Sequence, residues 1–224
     1  MKLAIETSTP VCSVALQTGA GRTFEKRIEG HGTHSERTFL FIRELLERTG
    51  TDITDLDGVL FSNGPGSYTG LRIGASAVKG LLFDREVPLY TFPTLLAFPL
   101  GVPLPEKPAR IFSVIDARRN HLYMQQCRWD GNRITPESGP SVKTLEEIEQ
   151  ELSDGDIIAG TGWNRLSIGE KKIKTYGTEI ISAKNLVDAW GQEELKLYFK
   201  KEDPALFEPE YLNMAQVNNS AVKS

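Results

Sequence analysis

The chain has 224 residues, a formal net charge of −4 and a hydrophobic content of 39%. This length allows one large domain or two lobes of about 100 residues each. The weakly negative net charge argues against a protein that coats nucleic acid with one basic face. No segment reaches the ~18 uninterrupted apolar residues of a membrane span, and the N-terminus lacks the pattern of a signal peptide. We therefore expect a cytoplasmic protein without a membrane partner.

The first hundred residues predict alternating strands and helices. Residues 2–29 form three strands, because apolar and polar side chains alternate there and residues 18–21 favour a hairpin turn. A helix at 34–49 comes next, with Thr33 and Glu36 as a capping box. It is succeeded by a strand at 57–62, a helix at about 69–83 and a strand at 87–91. The predicted order is β-β-β-α-β-α-β.

A similar order begins again after a proline-rich segment. Four prolines within residues 99–108 indicate a boundary, since such a density cannot continue a helix or a central strand. This organisation predicts a duplication, with lobes at 1–103 and 104–213 and a flexible polar tail at 214–224. The predicted elements are strands at 110–115 and 121–128, a third strand after the turn at 130–132, a helix at 144–152 with Thr144 and Glu147 as its capping box, a strand at 156–159 and a helix at 185–201.

The most informative segment is 58–74, where an apolar strand runs into a glycine-rich loop and then a helix. Its glycines permit backbone conformations closed to other residues, and Ser67 or Thr69 can cap the helix. Such a junction directs backbone N–H groups toward one point, where an anion could bind. However, Leu71 succeeds Gly70 where a phosphate loop needs Lys, and Ser67 lacks the flanking glycines of a nucleophile elbow. Local chemistry alone favours a structural turn.

The same loop carries a resemblance to a known family. The eleven residues 64–74, Gly-Pro-Gly-Ser-Tyr-Thr-Gly-Leu-Arg-Ile-Gly, resemble the signature of the bacterial TsaB family, also called YeaZ. Two positions depart from that family's pattern. Glu6 stands where the family has Asp, and Asn213 comes after the terminal Pro-x-Tyr-Leu motif where the family has Arg. Four further segments resemble family markers in the same order, at residues 2–9, 34–37, 115–118 and 160–163.

The resemblance implies an α/β fold of two tandem ribonuclease-H-like lobes, of the actin, sugar-kinase and Hsp70 type. It also implies a non-catalytic subunit of the complex that forms N6-threonylcarbamoyladenosine at position 37 of tRNAs reading codons that begin with A. In that family the paralogue TsaD carries out the transfer, and the ATPase TsaE joins the complex. A TsaB-like chain binds TsaD through its helices and forms a homodimer when alone. We therefore expect ATP or ADP and a metal in the partner subunits, no cofactor in this chain, and tRNA bound through the complex.

Two predicted helices have more apolar side chains or small residues on their surfaces than packing on one sheet would bury. The helix at 34–49 has five apolar side chains in one broad arc, and the helix at 69–83 has glycine and alanine where another helix could approach closely. Packing of both helices on their own sheet is the alternative, but the resemblance favours a partner. The predicted interface residues, for homodimer and heterodimer alike, are Phe39, Ile42, Leu46, Tyr68, Leu71, Gly74 and Ala77.

Glu6, Asp116 and Arg118 are the candidate residues of a cleft or nucleotide site. In actin-like folds a carboxylate at the end of the first strand of each lobe faces the phosphates through Mg²⁺ or water, and Glu6 and Asp116 occupy those positions. The alternative is that hydrogen bonds lock the strand ends, with Arg118 paired to a carboxylate. An actin-like kinase or ATPase is thus one open alternative. A peptidase is a weaker one, because the sequence has no Ser-His-Asp order and no His-Glu-x-x-His motif.

The remaining polar residues predict no catalytic or metal site in this chain. His31 and His34 lack the four-residue spacing and the third ligand of a metal site. Cys12 and Cys127 lie in strand-like segments without a second Cys or patterned His nearby, which predicts buried free thiols. The basic run at 171–174 predicts a solvated face rather than an RNA-binding patch.

Overall fold

The computed structural model describes residues 1–30 and 34–212. The first half of the chain contains β1 (Lys2–Glu6), β2 (Val11–Gln17), β3 (Thr23–Glu29), α1 (His34–Thr49), β4 (Gly58–Ser62), α2 (Tyr68–Leu82), β5 (Leu89–Phe92) and α3 (Thr94–Ala97). The second half contains β6 (Ala109–Asp116), β7 (His121–Trp129), β8 (Ile134–Pro136), β9 (Ser141–Thr144), α4 (Leu145–Glu151), β10 (Ile157–Gly160), β11 (Lys174–Tyr176), α5 (Lys184–Trp190), α6 (Glu193–Lys196) and β12 (Lys200–Glu202).

These strands form two six-stranded sheets with the same internal arrangement. The first has the order β12-β5-β4-β1-β2-β3, and the second has β11-β10-β6-β7-β8 with β9 also paired to β7. In the first sheet β1 is antiparallel to β2 and parallel to β4. In the second sheet β6 is antiparallel to β7 and parallel to β10. The predicted α/β fold with a duplicated lobe is therefore confirmed at the level of topology.

Local hydrogen bonds explain where two of the helices begin. At the start of α2, Ser67 Oγ accepts a hydrogen bond from the Gly70 backbone N–H at 3.2 Å. At the start of α4, the Glu147 N–H donates to Thr144 Oγ1 at 3.2 Å, and the Thr144 N–H donates to Glu147 Oε2 at 2.7 Å. The predicted capping box of α4 is thus confirmed. The one predicted for α1 includes Thr33, which lies outside the described residues.

The two lobes share a core that neither half of the chain completes alone. In β1, Leu3 and Ile5 pack in the cluster beneath α1 and α2, whereas Ala4 faces the other lobe. Helix α3 of the first half packs on β6 and β7, and α5 of the second half packs on β1, β2 and β4. Each half therefore covers the sheet of the other, and apolar burial between the sheets holds the lobes together.

The end of the chain differs from the prediction. The expected helix at 185–201 is wrong, because α5 ends at Trp190, Gly191 caps it, and β12 pairs antiparallel with β5. Strand β12 thus joins the first sheet, although it lies within the predicted second lobe at 104–213. Elements α3, β9 and β11 are absent from the prediction, and the predicted tail at 214–224 lies outside the described residues. None of the described helices is long and apolar enough to cross a membrane.

Candidate partner surface and cleft residues

The glycine-rich loop is filled by the backbone of the chain itself. A Cβ on Gly66 would lie 2.3 Å from the Ser8 carbonyl oxygen, and one on Gly70 would lie 2.0 Å from the Thr7 carbonyl oxygen. The Ser67 N–H donates to the Ser8 carbonyl at 2.6 Å. Gly64 has a φ of +115°, and its Cβ position lies 2.3 Å from the Glu210 carbonyl oxygen. These glycines are required for close backbone packing, as the interpretation of a structural turn predicts.

An exposed apolar surface lies on the outer side of α1 and α2, and Phe39 stands at its centre with 51% of its surface exposed. One groove of about 930 Å³ lies along α1, and a second of about 390 Å³ lies between α1 and α2; Phe39 lines both. We call these the α1 groove and the α1–α2 groove. The α1 groove is lined by apolar side chains that include Leu40, Ile42, Leu46, Ile53 and Leu81, and the α1–α2 groove is lined by Ser35, Tyr68, Thr69, Arg72, Ile73 and Ser76.

The structure corrects the predicted contribution of α2 to this surface. Leu71 and Ala77 are fully buried. A Cβ on Gly74 would lie 2.3 Å from Thr7 Oγ1 and 2.5 Å from Phe61 Cε2. Gly74 and Ala77 therefore let α2 pack closely on its own lobe, and they do not face outward. Of the seven predicted interface residues, Phe39 and Tyr68 are exposed and Leu46 is partly exposed, while Ile42 lines a groove but retains only 3% exposure.

The exposed side of α2 carries residues that are missing from the predicted interface. The Arg72 guanidinium lies 4.0 Å from the centroid of the Tyr68 ring, in the geometry of a cation–π contact. The Tyr211 ring packs on the same tyrosine, with centroids 5.1 Å apart. Tyr68, Arg72 and Ser76 recur every four residues, and this spacing was the available signal for an outward stripe.

Glu6 does not face an open cleft. The side chain is buried, with 2% exposure, and its Oε1 accepts hydrogen bonds from the Ser8 backbone N–H at 2.6 Å and from Ser8 Oγ at 2.5 Å. Burial raises the pKa of the Glu6 carboxyl above its ordinary value, and the hydrogen bonds from Ser8 oppose that shift. The carboxyl therefore serves to close the β1–β2 turn.

Asp116 lies in a different environment at the end of β6. Its carboxylate forms an ion pair with Arg165 and accepts a hydrogen bond from the Arg118 backbone N–H at 2.7 Å. The Arg118 guanidinium makes no ion pair within residues 1–30 and 34–212. Pairing of the Arg118 side chain with a carboxylate is therefore a wrong prediction, and Arg165 has that role. Over the same described ranges, no group of three or more His, Cys, Asp and Glu side chains could hold a metal ion.

Comparison with known proteins assigns the family. Residues 29–210 match the family model described as TsaD: tRNA N6-adenosine threonylcarbamoyltransferase. The tRNA threonylcarbamoyladenosine biosynthesis protein TsaB of Escherichia coli (strain K12) is 31% identical over 170 residues, which cover 72% of this chain and 71% of that protein. The protein of the same name from Bacillus subtilis (strain 168) is 30% identical over an alignment that covers 99% of this chain and 98% of the relative. The chain belongs to the TsaB family.

A solved structure is similar over nearly the whole chain, and an enzyme is similar over a short segment of it. The structure titled YeaZ from Pseudomonas aeruginosa aligns with a TM-score of 0.77 and 25% identity, over 94% of this chain and 99% of that one. The tRNA N6-adenosine threonylcarbamoyltransferase of Listeria monocytogenes is 41% identical over 56 residues, which are 25% of this chain and 16% of the enzyme. The TsaB resemblance and the two-lobed fold predicted from the sequence are thus confirmed. The names of the TsaB relatives indicate a role in the biosynthesis of threonylcarbamoyladenosine in tRNA.

Proposed function

We propose that this TsaB-family protein is a non-catalytic subunit that binds and supports a TsaD-like paralogue in forming threonylcarbamoyladenosine at position 37 of tRNAs reading codons that begin with A. The observation that carries the proposal is the apolar surface of the α1 groove and the α1–α2 groove, with Phe39 between them. An exposed aromatic side chain between two apolar grooves has the composition of an interaction hot spot.

The charges around this surface suit a specific partner. Arg43, Glu47 and Asp52 border the α1 groove, and Arg72 borders the α1–α2 groove. An apolar centre with a charged border is the usual anatomy of a protein interface, because the border sets orientation while the centre supplies buried area. The same surface is the proposed homodimer contact when the partner is absent.

The cleft residues support a non-catalytic role. Glu6 is buried under its own turn and the exposed Asp116 carboxylate is paired with Arg165, so each carboxylate already has partners within the chain. The glycine loop is occupied by the backbone of residues 7, 8 and 210. We therefore assign ATP or ADP and the metal to the partner subunits, and a TsaE-like ATPase to the larger complex. The proposed location is the cytoplasm.

A substitution at the centre of the surface tests the proposal. Phe39→Glu places a charge between the two grooves, so binding to the TsaD-like paralogue should weaken by at least about 30-fold, or ~2 kcal/mol. The measurement is co-purification with the paralogue from the same genome, combined with mass spectrometry of digested tRNA from the variant strain. Both the complex and the modified adenosine should be lost.

Phe83→Glu is the matched control, because Phe83 is also an exposed phenylalanine, at 79%, and comes directly after the last residue of α2 at the end of the helix opposite Tyr68. This variant should retain the complex and the modification. A Phe39→Glu protein that still binds the paralogue would contradict the proposed surface. A variant that loses the complex but keeps the modification would contradict the proposed function.

A further inference from the structure

The hairpin between β6 and β7 holds two arginines in an unfavourable backbone conformation. Arg118 has a φ of 69° and Arg119 a φ of 51°, so both lie in the left-handed region. Residues with a Cβ seldom adopt this region, and Gly or Asn would do so more easily. The conformation is fixed by hydrogen bonds from the His121 N–H to the Arg118 carbonyl and from the Ala117 N–H to the His121 carbonyl, both at 3.2 Å. Stability alone does not explain two arginines at these positions.

Both side chains are exposed, and their charges are not neutralised by the carboxylates around the hairpin. Asp116 pairs with Arg165, and Glu146 accepts hydrogen bonds from the Asn120 side-chain amide at 2.8 and 3.1 Å. Across residues 1–30 and 34–212, neither Arg118 nor Arg119 has an ion-pair partner. The tip of the hairpin therefore presents two free guanidinium groups on a chain whose net charge is −4.

The position of the tip separates it from the other basic segment. The hairpin lies at the carboxyl end of β6, whereas Lys174 pairs with Ile157 at the start of β10, which runs parallel to β6. The basic run at 171–174 thus lies at the opposite edge of the second sheet. One of its side chains, Lys171, donates to the Glu149 carbonyl at 2.6 Å and is used within the chain.

We infer that Arg118 and Arg119 contact backbone phosphates of the tRNA in the assembled complex. Guanidinium groups bind phosphate oxygens in pairs of hydrogen bonds, which makes arginine well suited to this contact. A solvent-exposed hairpin turn suits contact with a polyanionic chain, whereas a free nucleotide needs a concave pocket. The inference rests on the proposed function, and it adds a direct contact to the expectation that tRNA binds through the complex.

The test measures the affinity of the assembled complex for unmodified tRNA as a function of salt concentration. The double variant Arg118→Asn, Arg119→Asn removes both charges and supplies residues that adopt the left-handed region at lower cost. The slope of log affinity against log salt should fall by about one for each arginine. At about 0.1 M salt the affinity should fall roughly fivefold for each lost contact. The melting temperature should stay the same or rise, which separates lost binding from lost folding.

The matched control is Lys172→Gln, Lys174→Gln, which removes two exposed charges from the opposite edge and should leave tRNA binding unchanged. An unchanged salt slope in the arginine variant would overturn the inference while leaving the proposed function intact. Weaker binding of ATP with unchanged binding of tRNA would assign the arginines to a free nucleotide and would also overturn it. Failure of the wild-type complex to assemble or to bind tRNA would instead count against the proposed function, and the inference would fall with it.

Discussion

In each lobe one strand runs parallel to the first strand of that lobe, β4 beside β1 and β10 beside β6. The lobes share one strand arrangement but differ in the connection that follows this parallel strand. In the first lobe β4 leads through the glycine loop into α2, a helix of 15 residues. In the second lobe the equivalent β10 leads into a 3-10 turn of three residues, Trp163–Arg165. Only the first connection offers a long helical face beside another helix. The connection after this strand is thus one of the differences that give the first lobe, and not the second, the proposed partner surface.

The carboxylates at equivalent strand ends show the same divergence. Glu6 ends β1 and is buried against Ser8, whereas the Asp116 side chain ends β6 with 46% of its surface exposed. The first lobe has closed its strand end with a turn that packs on the glycine loop. The second lobe has kept an exposed edge, and its arginines lie there. We therefore expect perturbations of the first lobe to act mainly on folding and assembly, and those of the second to act on surface electrostatics.

The largest expected change in the free energy of unfolding comes from substituting two glycines of α2, one facing inward and one facing open space. Gly74→Ala places a methyl group against Thr7 and Phe61, which should lower the free energy of unfolding by about 1–3 kcal/mol. Gly80→Ala meets open space on the same helix and should raise it by up to about 1 kcal/mol, because alanine is the better helix former. Urea denaturation of both variants measures the difference.

This pair also decides between the packing role of Gly74 and the partner role expected from the sequence. Suppose instead that Gly74→Ala leaves the free energy of unfolding unchanged and only dissociates the proposed homodimer. Gly74 would then face a partner, and its packing against Thr7 and Phe61 would be the wrong interpretation. If both variants gain stability equally, helix propensity rather than the contact of Gly74 with Phe61 of β4 limits the stability of α2.

The orientation of α2 could not be predicted from the sequence, whereas several local features could. The alternation of β1 and β2, the glycine loop and the capping box of α4 arise from local spacing, so they could be predicted. The inward direction of Gly74 and Ala77 depends on the approach of residues 7 and 61, which are distant in sequence, and small residues suit either side of a helix. Strand β12 exists because it pairs with β5, and the ion pair of Asp116 spans 49 residues. Non-local contacts of this kind leave no local pattern.

A smaller expected effect is the pH dependence of folding stability, which has opposite signs for one carboxyl group in each lobe. Burial raises the pKa of Glu6 in the folded protein, so the native state keeps this proton at a pH where the unfolded chain has lost it. The stability that Glu6 contributes is fully present below its unfolded pKa and declines as the pH rises through the raised folded value. Glu6→Gln keeps an acceptor for Ser8 and should therefore gain stability relative to the wild type as the pH rises from about 4 to 7.

Glu146 at the start of α4 is the matched comparison from the second lobe. Its own backbone N–H and the Asn120 side chain lower its pKa, so its contribution is present above the unfolded pKa and is lost as the pH falls through the lowered folded value. Thermal melts between pH 4 and 7 measure the melting temperature of each variant relative to the wild type. This difference should rise with pH for Glu6→Gln and fall with pH for Glu146→Gln. Parallel trends would mean that Glu6 is ionised in the native state like an exposed carboxylate.

The smallest expected effect is that of Asp116→Asn. The ion pair with Arg165 is partly exposed, so its loss should cost no more than about 1 kcal/mol, and the asparagine oxygen can still accept the Arg118 N–H. Because we propose that this chain is non-catalytic, the variant should also leave most of the tRNA modification in cells, as should Glu6→Gln. A thermal melt and mass spectrometry of digested tRNA report the two outcomes. A variant that assembles with the TsaD-like paralogue but loses the modification would favour the actin-like kinase or ATPase alternative, since Asp116 would then act on a substrate rather than on Arg165.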